Sequence, residues 1–136
     1  MSEFAITMRR GACFGRCPQY SVTVDGGGNI DFTGARFVDA EGPHRAQADM
    51  DAVAVLRSKA SAVFASIGDV VPGSAACERY ATDHPQITLE LRTAEGSRTL
   101  RHYTGCVPAP AALRELEDLI DRTANVDQWV KGGAPG

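Results

Sequence analysis

Residues 20–34 read YSVTVDGGGNIDFTG, and the fold turns on what the three glycines do. Tyr20, Val22 and Val24 alternate with Ser21 and Thr23, and Ile30 and Phe32 follow the glycines. This is the period-two pattern of half-buried strands. A two-residue loop at Gly26-Gly27 would set Val24 opposite Asn29 and Val22 opposite Asp31. A three-residue loop pairs Val24 with Ile30 and Val22 with Phe32. Only the second register keeps one face apolar, and glycine supplies the positive φ that such loops need. No helix follows the glycines, so they make a hairpin and not a phosphate cradle.

Working outward, Phe4, Ile6 and Met8 alternate with Ala5, Thr7 and Arg9 and predict a first strand. The stretch ARFVDAEGPHRAQ (35–47) alternates poorly and reads as another strand or short hairpin, turning near Glu41-Gly42-Pro43. The period then changes: Met50, Val53, Leu56, Ala60, Val63, Phe64 and Ile67 fall at helical spacing, with Asp49 as N-cap. After a loop rich in Gly, Pro, Ser and Asp, Ile87, Leu89 and Leu91 begin a second hairpin. A turn at Glu95-Gly96 would place Leu91 opposite Leu100, Glu90 opposite Arg101, and His102 beside Leu89 on the apolar face. PAPAALRELEDLIDRTA (108–124) predicts a last helix that buries Leu113, Leu116, Leu119, Ile120 and Ala124. Pro110 suits its first turn, and Glu115, Glu117, Asp118 and Asp121 are expected on a solvated face. Trp129 and Val130 tuck the chain back, and residues 131–136 read as a flexible tail. This order predicts one α+β domain over 1–130, an antiparallel sheet of hairpins with two helices packed on one face.

The chain has 136 residues, 43% hydrophobic and 23% charged, with a net charge of −3. These values suit a globular domain and not a nucleic-acid surface, which needs clustered Lys and Arg. No apolar run is long enough for a transmembrane helix. The opening MSEFAITMRRG lacks an export signal as given, which leaves two readings: a cytoplasmic protein, or one whose signal is not in this sequence.

Four cysteines, Cys13, Cys17, Cys77 and Cys106, carry most of the functional information. Zinc would want a second closely spaced pair, and Cys77 and Cys106 are far apart, though His84 or His102 could substitute. A catalytic dithiol would want Cys-x-x-Cys at a helix start, and here the spacing is one residue longer and a strand follows. Disulfides fit better: Gly11 and Gly15 allow a tight Cys13–Cys17 loop, and Cys77 and Cys106 flank the second hairpin. The expected pairing is therefore Cys13–Cys17 with Cys77–Cys106, which points to a periplasmic or secreted protein. Four buried, reduced cysteines in a cytoplasmic protein remain the plainer alternative.

Other candidates are fewer. YATDHP (80–85) groups Tyr80, Asp83 and His84, a possible polar site with His102, although Asp-x-Pro is also ordinary turn chemistry. His102 on an apolar face is expected to be buried and hydrogen-bonded. No nucleophile elbow, phosphate loop or His-Glu-x-x-His occurs, and neither a cofactor nor a metal is expected. The leading expectation is a non-enzymatic, disulfide-stapled binding or accessory module of the bacterial envelope, with a protein or small molecule as partner. The alternative is a thiol-redox or metal-binding protein using Cys13 and Cys17.

Cys13, Gly15, Cys17, Pro18 and Tyr20 form a Cys-x-Gly-x-Cys-Pro-x-Tyr signature. With TVDGGGNIDFTG (23–34), Thr82-Asp83-x-Pro85, HYTGC (102–106), Leu113, Ile120, Asp121 and Trp129, the chain resembles an uncharacterised bacterial domain family. The resemblance spans nearly the whole chain and implies exported proteins or lipoproteins. It implies no reaction and supplies no catalytic residues.

Overall fold

The computed structural model describes residues 3–131. Its strands are β1 (Ala5–Arg10), β2 (Gln19–Asp25), β3 (Asn29–Arg36), β4 (Gly42–Gln47), β5 (Arg79–Tyr80), β6 (Gln86–Thr93), β7 (Gly96–Tyr103) and β8 (Cys106–Val107). Its helices are α1 (Met50–Ser66), α2 (Ala111–Ala124) and the short α3 (Asp127–Val130). Six strands form one antiparallel sheet in the order β4-β3-β2-β1-β6-β7, and β5 pairs with β8 in a second, two-stranded sheet. The architecture is α+β.

The glycine hairpin pairs Val24 with Ile30 and Val22 with Phe32. Asp25 holds the loop shut, its Oδ1 accepting from the backbone N–H groups of Gly27 and Asn29 at 2.9 Å. Alternation puts Ile6, Met8, Val22, Val24, Phe32, Leu89 and Leu100 on the inner face, all fully buried. Leu56 of α1 and Leu113, Leu116 and Ile120 of α2 close the core over them. Each such side chain contributes about 1.5–3 kcal/mol on leaving water.

Three details differ from the sequence reading. The second hairpin turns at Ala94-Glu95, because Thr93 pairs with Gly96. The Thr93 hydroxyl accepts the Glu95 N–H at 3.3 Å, and Gly96 (φ 126°) serves as the first residue of the returning strand. Leu89 therefore faces Leu100 and Ile87 faces His102, a slip of two residues that leaves every side chain on its expected face. Between β3 and β4 the chain turns over 37–41, earlier than expected. Gly34 makes this possible, since a Cβ there would collide with the Ala40 carbonyl and lie 2.7 Å from Val38 Cγ2. Met50, expected in the buried stripe of α1, is exposed over the glycine hairpin, where a Cβ on Gly28 would lie 3.0 Å from its sulfur.

Asp49 caps α1, accepting from the Ala52 N–H at 3.1 Å. The tail packs back through Trp129, which stacks on Phe32 at 4.8 Å, and through hydrogen bonds from the Asp39 and Ala40 N–H groups to the Val130 and Trp129 carbonyls. Of the tail expected from 131 onward, Lys131 ends α3, and 132–136 lie outside the described residues.

Candidate functional site

One transverse row of the sheet departs from the apolar pattern. Gly34, Tyr20, Arg10, Ile87 and His102 lie side by side across β3, β2, β1, β6 and β7. The parity that buries Ile6 and Met8 also turns Arg10 inward, and the parity of Leu100 turns His102 inward. Three polar side chains thus face α2 and need partners there. Glu117 and Asp121, one helical turn apart, supply them.

His102 is 2% exposed and Glu117 4% exposed, and Nδ1 lies 2.6 Å from Glu117 Oε2. Glu117 thus fixes the ring through Nδ1. Nε2 is buried and has no hydrogen-bond partner among the described residues. Next along the row, Arg10 Nε donates to Tyr20 Oη at 2.9 Å and Arg10 Nη2 donates to Asp121 Oδ2 at 2.7 Å. Tyr20 Oη closes the triangle by donating to Asp121 Oδ1 at 2.6 Å. Burial pushes the Asp121 carboxyl up, offset in part by Arg10 and Tyr20. Burial likewise pushes the Tyr20 phenol well above its ordinary range. The Arg10 guanidinium is raised although burial lowers it, because Asp121 and Tyr20 outweigh that cost.

The Arg10–Asp121 pair stands between two clefts, and Arg10 lines both. One, of about 390 Å³, runs toward Asn125 and Val130. The other, of about 510 Å³, has His102, Glu117 and Ile87 in its lining and is walled by residues 107–109, Arg114 and Asp118. Glu117 and Asp121 were expected on a solvated face, and the structure buries the first and half-buries the second. The signal was present: Glu117 is four residues after Leu113 and three before Ile120, within the buried stripe itself.

Beyond this row lies the cysteine loop. Cys13–Cys17 and Cys77–Cys106 are both disulfides, with Cα–Cα distances of 5.9 and 5.1 Å. Gly15 takes φ 146° inside the small ring. The Gly11 and Phe14 N–H groups donate to the Gln86 and Asp83 carbonyls, and the Arg16 guanidinium lies 4.9 Å from the Phe37 ring centre. Phe14 itself is 86% exposed. Cys106, in the 510 Å³ cleft, sits opposite Tyr80 in the β5–β8 pair. Tyr80 and Val107, both in the β5–β8 pair, are 57% and 46% exposed.

Tyr80, Asp83 and His84 lie in the exposed 80–84 segment. Tyr80 packs edge-on against Tyr103, Asp83 takes φ 69°, and the His84 N–H donates to Tyr103 Oη at 3.3 Å. His102 faces away from them, toward Glu117, so the four residues do not share one constellation. No helix of the described residues is long and apolar enough to cross a membrane. Among those residues there is also no group of three or more His, Cys, Asp or Glu placed to hold a metal ion. No curated protein matches the chain. A family model described as Domain of unknown function (DUF6438) matches residues 4–124, and the chain belongs to that family.

Proposed function

We propose that this chain is a non-catalytic binding module of an oxidising compartment of the bacterial envelope, and that it engages a protein partner through its stapled end. The observation that carries this reading is Phe14, held 86% exposed at the tip of a disulfide-closed ring. A bare aromatic on a short, conformationally restricted loop costs little entropy to bury against a partner, the usual property of an interface anchor. Tyr80 and Val107, on the neighbouring β5–β8 pair, are exposed apolar side chains as well. Bonded cysteines fit a compartment in which thiols are oxidised.

The test is site-specific photo-crosslinking in the envelope of the native bacterium, with the probe at position 14 or, as control, at the exposed Val55 of α1. Discrete adducts are expected at 14 only, and Cys13→Ser with Cys17→Ser abolishes them. The same adduct pattern at both positions would refute the reading.

The second reading is thiol–disulfide exchange at Cys13–Cys17, favoured by the partial exposure of both residues and by neighbouring Arg16. The residues after Cys17 enter strand β2, so the helix dipole that lowers a thiol pKa in dithiol enzymes is missing. Exchange on a model protein substrate above the uncatalysed rate would favour this reading over the first.

A further inference from the structure

We infer that the stapled end receives an extended acidic segment of its protein partner, held by Arg9, Arg16 and Arg36. This inference rests on the stapled end being a binding surface and names the chemistry of what it binds. Arg16 sits inside the small disulfide ring, two residues after Phe14, and its guanidinium lies 4.9 Å from the Phe37 ring centre. The Arg36 guanidinium lies 5.2 Å from the same centre. The two charges are therefore no more than about 10 Å apart, about one Debye length, and they repel each other. All three arginines are exposed, and none forms an ion pair among the described residues, although the chain carries a net charge of −3. Cations gathered without a counter-charge create a local positive field that attracts an anionic partner.

The open face of the sheet continues this donor set. Arg9 alternates with Met8 and Arg10, so it points to the face turned away from the helices. There it lines a hollow of about 260 Å³ together with Gln19, Ser21 and Thr33. The register shift between Gln19 and Tyr20 sets Gln19 opposite Arg36, which joins the hollow to the arginine pair. No carboxylate lines this hollow, whereas the clefts beside α2 contain Asp121 and Asp127 in one and Glu117 and Asp118 in the other. Guanidinium, amide and hydroxyl donors suit a carboxylate acceptor. Arg9 and Arg36 stand on strands separated by β2. That is about 10 Å across the sheet, a distance that about three extended residues span. Spaced cations match acidic side chains along one chain better than a single compact anion. A donor set that includes a hollow favours a chain, which can lower a side chain into it, over a flat bilayer surface. Phe14 offers an apolar residue of the same segment an exposed aromatic contact.

The probe is an acetylated and amidated peptide of alternating glutamate and leucine. It is titrated into the intact oxidised protein at about 0.01 M ionic strength and followed by the guanidinium nitrogen resonances of Arg9, Arg16 and Arg36. Saturable shifts are expected at all three, with the glutamine–leucine counterpart binding at least about tenfold more weakly. Arg16→Gln with Arg36→Gln is expected to weaken the acidic peptide about tenfold at an unchanged urea midpoint. Arg92→Gln with Arg98→Gln removes the same charge from the second hairpin and is expected to change binding by less than about twofold. Equal binding of the glutamate and glutamine peptides would overturn the inference. Equal weakening by the two double variants would assign the attraction to the overall field and overturn it too. The same shifts from acetate at the same concentration would leave an adventitious ion only. Tighter binding to phosphatidylglycerol vesicles than to the peptide would give the arginines to a membrane and overturn the peptide assignment. No shift up to about 10 mM peptide would overturn it outright. In each of these cases the crosslinking at position 14 still decides the broader reading independently.

Discussion

Replacing Glu117 with alanine separates a buried, paired carboxylate from a surface one. The hydrogen bond between Glu117 Oε2 and His102 Nδ1 is 2.6 Å long and both residues are almost fully enclosed. A hydrogen bond to a charged group contributes about 1.5–3 kcal/mol, and the one packed methylene that alanine lacks adds about 0.8 kcal/mol. Removal also leaves both nitrogens of His102 without a partner. The expected loss is about 3–4 kcal/mol, in the range seen when one member of a buried pair is deleted. With an m-value of about 2 kcal/mol/M, the urea midpoint falls by about 1.5–2 M. Asp118→Ala, one residue along and exposed, is the control and stays within about 0.5 kcal/mol of wild type. His102→Phe combined with Glu117→Leu recovers most of the loss, because an apolar pair has no desolvation to offset. A Glu117→Ala loss under about 1 kcal/mol at unchanged m would refute the reasoning and return Glu117 to the solvated face.

Further outcomes follow from the staples, the salt links and the turn. Cys77→Ser with Cys106→Ser opens a bridge of separation 29 and is expected to cost about 3.5 kcal/mol, against about 2 kcal/mol for the Cys13–Cys17 bridge of separation 4, both measured by urea unfolding. Asp69 accepts the Arg101 N–H at 2.9 Å and its guanidinium at 2.7 Å, and these bonds hold its carboxyl below the ordinary range. A lowered folded pKa gives stability that is present above the unfolded value and lost as pH falls through the folded one. The advantage of wild type over Asp69→Asn is therefore constant from neutral pH to about 5 and shrinks below about 4 in acid unfolding curves. Gly34→Ala puts a methyl group into the Ala40 carbonyl and Val38 and is expected to lower stability by about 2 kcal/mol or more in the same urea assay.

Where one face of an element is buried, the sequence carried the answer. The glycine hairpin could take only the register that keeps Val22, Val24, Ile30 and Phe32 together, and it takes it. A turn with Gly96 inside it puts the second hairpin two residues out of register, because Gly96 instead opens the returning strand, yet Leu100 and His102 keep their face. Periodicity fixes parity more firmly than it fixes turn position. The 37–41 turn is not legible in periodicity because its determinant is tertiary: the close approach of residues 38–41 to Gly34 and the backbone bonds to Trp129 and Val130. The polar row was half legible. His102 is buried and bonded to a protein group as its strand parity predicts, whereas Glu117, expected on the solvated face of α2, is that partner and stands in the apolar stripe. A histidine on a buried strand face and a glutamate on a buried helix face would each be costly alone, and each is the natural partner of the other. Arg10 and Asp121 follow the same logic two strands and one turn away.

Everything proposed for the stapled end depends on the two bridges, and peptide mapping of the native protein tests them most directly. The protein is isolated from an oxidising compartment, blocked with an alkylating reagent without reduction, digested, and weighed before and after reduction. The account predicts no alkylated cysteine before reduction and two linked peptides, one joining Cys13 to Cys17 and the other joining Cys77 to Cys106. Free thiols at these positions, or a bridge from Cys13 to Cys77 or Cys106, would contradict it.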